Sequence, residues 1–429
     1  MKKLLAIILA LCFVVTLCAC GGDKDTDKGG SSSKVDSSSN ISSDASSSDE
    51  SNSSVTSSTN VDLTGIADSV YGKTRTFSFS GVKSKRDLSN TVYKLTKEKK
   101  LNVLFYGGSI TVSQLGESAW SDLTGKWLKE TYPDAEINIT NKSISGQGTY
   151  LGLFRLERDA IPAKPDLMFI ELATNDLYQG FGLEKSTVLV EAIVRNIQSK
   201  FPECDIVIVL TTDKSRLGTE FATLQAHRNV ADYYGIPTIN VGQALKEEMD
   251  KTGKDWDYYV GDIVHPNVNG HKVYADRVIK ELKTLMPKSA SSAKKHTMPS
   301  DRYISNGITK TQTITADKIE FEDGWEVANA SNWCKYTGFT KSLRPKSTKQ
   351  PATLTFRFEG TTFGMLAEVA RTVNVEITID GKETVRLHEK DATNEVERYV
   401  FDNLAAGEHV VTIKYNGPGA LYIGAICIG

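Results

Sequence analysis

Five short apolar runs rich in β-branched residues, at 102–106, 137–140, 167–172, 206–210 and 236–241, are separated by stretches with helical patterning. The clearest helix places Leu189, Ile193 and Ile197 on one face with Val190 and Val194 beside them, at i, i+4 spacing. Apolar runs bounded by Gly, Pro and Asp and joined through helices predict a parallel sheet covered on both faces. The expectation for 101–286 is therefore a three-layer α/β domain with about five parallel strands. Residues 269–285 supply the closing helix. In such a sheet the sites lie at the carboxyl ends of strands, so the residues just past each run matter most.

Four stretches fall at such ends. The first run leads into Gly107-Gly108-Ser109-Ile110-Thr111, with helical patterning from about Ala119. Glycines let the chain turn sharply there, leaving a serine hydroxyl at a strand-to-helix corner. Alone, Ser109 reads equally as a turn residue or helix cap. Asn141-Lys-Ser-Ile-Ser-Gly146-Gln-Gly148 comes after the second run, and Glu171-Leu-Ala-Thr-Asn175-Asp176 ends the third. Gly261-Asp262-Ile-Val-His265-Pro266-Asn267 comes after the fifth.

Taken together, these blocks resemble the SGNH (GDSL-type) hydrolases, and the resemblance covers essentially all of 101–286. It implies that Ser109 is the nucleophile, that Gly146 and Asn175 belong to the second and third motif blocks, and that Asp262 and His265 form the last. One position departs from the family pattern. The first block usually reads Gly-Asp-Ser, whereas Gly108 stands in the middle here; some carbohydrate-directed members look similar.

The residue chemistry agrees with that assignment. A serine hydroxyl is a poor nucleophile until a base takes its proton. His265 is the candidate base, with Asp262 orienting its ring and stabilising the charged form. The backbone N–H groups of Ser109 and Gly146 and the Asn175 amide are the candidate oxyanion donors. Asp176 reads as structural, His271 as a helix-start residue and His227 as a partly exposed structural histidine. Aromatic side chains suited to sugar rings lie near these blocks: Tyr178 and Phe181 after Asn175, and Trp256, Tyr258 and Tyr259 before Asp262. Tyr178, Trp256 and Tyr259 are the candidate substrate contacts, while Trp120 and Trp127 read as core. There is no His-Glu-x-x-His and no Cys pair at ligand spacing, so neither a metal nor another cofactor is expected.

Residues 287–300, rich in Lys, Ser and Ala, read as a linker. From 301 to 429 the pattern changes to alternation, in 354–358, 373–379, 410–415 and 421–426, with Asp380-Gly381 and Asn416-Gly417-Pro418-Gly419 as turn signals. This predicts an all-β sandwich or jelly roll with no helix, either binding glycan through Trp325 or Trp333 or serving as structure.

The N-terminus carries Lys2-Lys3 and an apolar core over 4–17, too short to span a bilayer comfortably. Leu17-Cys18-Ala19-Cys20-Gly21 resembles the lipobox of bacterial lipoprotein signal peptides. That resemblance implies removal of 1–19, acylation of Cys20 and lipid anchoring of an exported protein at the bacterial cell surface; a plain secretory signal is the alternative. Residues 20–60 are almost devoid of apolar side chains, which predicts a disordered tether. A flexible coil of that length spans roughly 35 Å r.m.s.. Residues 61–100 are a lead-in expected to pack on the catalytic domain. Without the signal and Cys20, only Cys204, Cys334 and Cys427 remain, which is no disulfide framework. Whether Cys334 and Cys427 pair stays open.

The formal net charge of −2 gives no basic domain for nucleic acid. The expected function is an extracellular serine esterase removing O-acetyl groups from a polysaccharide. The alternatives are a lipid-directed esterase or lysophospholipase, and an inactive surface protein that binds glycan. No sequence signal speaks to oligomeric state.

Overall fold

In the computed structural model the first five strands are β1 (Lys100–Gly107), β2 (Glu136–Asn141), β3 (Leu167–Glu171), β4 (Asp205–Leu210) and β5 (Thr238–Asn240). They form one parallel sheet in the order β2-β1-β3-β4-β5. Described residues are Leu63, Ile66, 69–78, 85–113, 118–370, 373–387 and 397–429; the expected signal peptide (1–19), the whole expected tether (20–60) and the expected acylation at Cys20 lie outside them. Among the described residues no helix is long and apolar enough to cross a membrane.

The strand sequences explain the three layers. In β1, Leu104 and Tyr106 join one core while Leu101, Val103 and Phe105 join the other. In β4, Ile206, Ile208 and Leu210 face the first core, and Val207 and Val209 the second. Side chains that alternate across a strand and are apolar at every position require cover on both faces. The Leu183–Lys200 helix supplies part of that cover, burying Leu189, Val190, Ile193, Val194 and Ile197. The order reverses between β1 and β3, so their outgoing connections diverge and open a crevice at the carboxyl ends.

The fifth apolar run yields only three strand residues. Gly235, in the left-handed conformation at φ +68°, ends the preceding helix, and the Ile236 N–H turns back to the Ala231 carbonyl. Asn240 then caps the next helix by accepting from the Gln243 N–H, which draws Val241 out of the sheet.

After residue 311 the chain forms two antiparallel sheets. β6 (Gln312–Thr315), β7 (Trp325–Asn329), β8 (Lys341–Pro345), β10 (Phe363–Val369), β13 (Glu397–Phe401) and β15 (Leu421–Ile428) make one. β9 (Ala352–Gly360), β11 (Val375–Ile379), β12 (Glu383–Leu387) and β14 (Gly407–Tyr415) make the other. A shared core including Met365, Ile377, Ile413 and Ile426 lies between them. A five-residue helix, Asn332–Tyr336, interrupts the expected all-β pattern, with the Ser331 hydroxyl accepting from the Cys334 N–H at its start.

The sheet layer containing β10 and β15 is continuous with the α/β domain. Leu366, Ala425 and Cys427 share a core with Tyr150, Phe154 and Ile193, and residues 60–429 form one compact unit. The segment 287–300 is pinned rather than free-running: Asn90 bonds Lys294 in both directions, and the His296 N–H donates to the Pro202 carbonyl. The lead-in contacts both halves. Leu88, Val92 and Leu95 enter the α/β core, while buried Arg75 holds Asp402 through two hydrogen bonds of 2.7 and 2.5 Å.

Trp325 is fully buried and donates its indole N–H to the Thr353 carbonyl, which corrects the expectation that it could offer a face to glycan. Trp333 is exposed beside Tyr336. Cys334 and Cys427 are buried and are not joined by a disulfide.

Candidate active site

Ser109 comes after β1 at the first position of a single helical turn, Ser109–Val112, beyond extended Gly108. The corner is zipped to the loop after β2: the Gly107 N–H donates to Ser143 Oγ at 2.9 Å, and the Ile144 N–H donates to the Gly107 carbonyl at 3.1 Å. That loop turns at Gly146, where the Gln147 N–H closes on the Ile144 carbonyl. Gly146 has φ +76°, a conformation that glycine adopts without the strain of a Cβ.

Asn175 stands in the Ala173–Tyr178 helix after β3, and its amide donates to the Gln147 carbonyl at 2.7 Å. Buried Asp176 accepts from the Thr149 N–H at 2.6 Å and from the Ser186 hydroxyl at 2.5 Å. The Asn175-Asp176 pair therefore clamps the Gly146–Thr149 loop from two sides. His227 contacts Asp176 at 3.2 Å and is fully buried, correcting the partly exposed position expected for it.

The final loop is tightly folded. Val260 bridges Pro266, and the Gly261 N–H donates to the His265 carbonyl. Asn267 then caps the Val268–Leu285 helix. At Gly270 a Cβ would lie 2.2 Å from the Tyr259 carbonyl oxygen, so only glycine permits this loop to sit on the helix.

Within that loop Asp262 Oδ1 accepts from the Val264 and His265 N–H groups, at 2.8 and 2.7 Å, while Oδ2 meets His265 Nδ1 at 2.7 Å. His265 Nε2 reaches Ser109 Oγ at 2.8 Å. Partial burial pushes the Asp262 carboxyl up, but its hydrogen bonds with His265 and Val264 and the His265 charge outweigh burial and take it to about 2. Serine, histidine and aspartate thus form one continuous hydrogen-bonded chain, able to move a proton from the hydroxyl to the imidazole.

The aromatic candidates separate. Tyr178 is exposed on the rim, with its hydroxyl 3.2 Å from Asp213 Oδ2. Trp256 is only 4% exposed and donates its indole N–H to the Asp262 carbonyl, bracing the loop. Tyr259 is equally buried, with its hydroxyl against Thr252 Oγ1 at 2.9 Å. Burial corrects the expectation that Trp256 and Tyr259 touch substrate. His271 is also buried and accepts from the Trp120 N–H at 3.3 Å. Burial, then the His265 charge, lowers His271 to about 4.

Residues 105–273 match the GDSL-like Lipase/Acylhydrolase family. This segment is a GDSL-like acylhydrolase domain. An acetylxylan esterase of Geobacillus stearothermophilus is 28% identical to the chain over 211 residues, covering 42% of this chain and 93% of that protein. A two-domain esterase active on acetylated mannans covers 81% of this chain and 96% of its own, at 19% identity and a TM-score of 0.66. Its structure with mannopentaose gives a TM-score of 0.64. The likeness extends through the antiparallel sheets, so the acylhydrolase domain and the β-region share a two-domain architecture with that esterase.

One buried carboxylate at the acylhydrolase site carries no family motif. Glu171, the last residue of β3, lies directly behind the Ser109 corner and accepts three hydrogen bonds from two other chain segments. An acidic residue ending an otherwise apolar strand is the signal in the sequence that points to it.

Proposed function

We propose that this protein is a serine esterase that removes O-acetyl groups from a polysaccharide through an acyl-enzyme on Ser109. The observation that carries this reading is the Ser109–His265–Asp262 chain at the carboxyl end of the parallel sheet. Ser109 Oγ attacks the acetyl carbonyl carbon as its proton passes to His265 Nε2. The imidazolium, paired with Asp262, then protonates the departing sugar oxygen. Water repeats the sequence in reverse and releases acetate. Asn175, set against Gly108, and the Gly146 turn are the proposed oxyanion side of the site. Tyr178 supplies an exposed aromatic face at the rim for a sugar ring.

Relatives described as acting on acetylated xylan and acetylated mannans support a polysaccharide substrate. Purified protein is expected to release acetate from acetylated mannan or xylan and to prefer p-nitrophenyl acetate over long-chain esters. A long-chain preference with no acetate release would favour the lipid-directed alternative.

The proposal extends to export and anchoring through Cys20, supported by the N-terminal pattern. Cys20→Ala is expected to shift the protein from the membrane fraction to the medium. Membrane retention of that variant would exclude a thiol-linked anchor.

A further inference from the structure

We propose that Glu171 is a positioning residue for the nucleophile, fixing the Gly108–Ser109–Thr111 corner and placing a negative charge behind the Ser109–His265 pair. This rests on the Ser109 mechanism above. Glu171 is 1% exposed. Its Oε2 accepts from the Gly108 N–H at 3.3 Å and from the Thr111 hydroxyl at 2.9 Å. Its Oε1 accepts from the Thr211 hydroxyl at 2.9 Å, and Thr211 Oγ1 lies 2.7 Å from Thr174 Oγ1. The ends of β1, β3 and β4 therefore meet on one carboxylate, and two of its donors flank Ser109 in sequence. Space there is closed: a Cβ on Gly107 would lie 2.4 Å from Thr111 Oγ1.

Neutral acceptors would hold the same corner without burying a charge, which is costly unless paired. No lysine or arginine among the described residues pairs with Glu171. The titratable groups facing it are His265, from the loop, and Tyr274, from the final helix. When Ser109 attacks, its proton moves to His265, and the ring becomes positive only then. A nearby negative charge lowers the energy of that state more than that of the neutral ring, so it acts on the transition state rather than on binding. Glu171 itself exchanges no proton with the substrate.

Burial pushes the Glu171 carboxyl up, and its hydrogen bonds and the His265 charge hold it to about 7. Protonation there removes the charge while leaving acceptors for Gly108 and Thr111 and a donor for Thr211. Activity should therefore show an ionisation of Glu171 on its acid limb.

The test is kcat and KM on p-nitrophenyl acetate across the pH range with full-length protein and E171Q, whose amide can satisfy the same three partners. E171Q is expected to lose about tenfold in kcat at alkaline pH with KM unchanged, and to lack the Glu171 ionisation. Wild-type kcat and pH profile in a folded E171Q would overturn the proposal. Should E171Q not fold, Thr111→Val, which removes one of the Glu171 donors beside Ser109, tests the same contact: an unchanged kcat in that variant would overturn the proposal. Activity retained by Ser109→Ala would instead sink the mechanism beneath it.

Discussion

Ser109→Ala is expected to lower kcat on acetyl esters by about four to six orders of magnitude, with little change in KM. The substitution removes the atom that bonds the acyl carbon, and the remaining donors can only stabilise an oxyanion formed by water. Ser109 is largely buried and its hydroxyl meets His265 Nε2 at 2.8 Å, so alanine leaves the packing intact and the imidazole with one partner fewer. Thermal melting should change little, which separates loss of chemistry from loss of fold. Steady-state hydrolysis of p-nitrophenyl acetate checks the effect, and a variant within tenfold of wild type would sink the proposed mechanism.

Asp262 is not expected to shape the acid side of the pH profile. Its carboxyl is lowered from 3.8 to about 2, so any stability it contributes is complete above its ordinary value and lost only as pH falls through the lower one. Glu171 has the opposite sign. Its folded value, raised from 4.5 to about 7, favours the fold below the ordinary carboxylate range and withdraws that support as pH rises through neutrality. The E171Q variant should therefore gain thermal stability relative to wild type as pH rises from about 5 to 8 while losing rate, the trade-off expected of a charge kept for function.

Periodicity is what made most of the fold legible in the sequence. The α/β half was readable because its strands are apolar on both faces and its helices repeat at i, i+4. In the β-half, β9, β11, β14 and β15 carry alternating runs, whereas β10, Phe363–Val369, has no polar face to mark it. Five of its seven residues are buried because it lies between β13 and β15, with Leu366 against the α/β core and Met365 in the sandwich core. The short β5 reads longer in sequence than it is because Asn240, a cap, sits inside an apolar run. At the site, motif spacing identified the residues that carry charge or a hydroxyl. It could not separate an aromatic that lines a cleft, such as Tyr178, from one that braces a loop, such as Trp256, because that distinction depends on tertiary burial.

Gly108 is where the site departs from the usual motif, and the structure supplies a physical reason for the glycine. Its φ of −94° is open to any residue, so the constraint is not backbone freedom. A Cβ at this position would lie 2.0 Å from Asn175 Nδ2 and 3.2 Å from its Cγ. The Asn175 amide occupies that space while tied to the Gln147 carbonyl, and Gln147 is itself buried and held by Arg155. Gly108→Asp, which restores the common family residue, is therefore expected to displace Asn175 and lower kcat by about 10²–10³, the loss typical of removing one oxyanion donor. Gly108→Ala should act in the same direction, since the first added carbon makes the clash. A double-mutant cycle isolates the cause: in an Asn175→Ala background the obstructing amide is gone, so Gly108→Ala should cost little more. Full activity in Gly108→Asp, or losses that simply multiply in the double variant, would show that Asn175 and Gly108 do not share this space during catalysis.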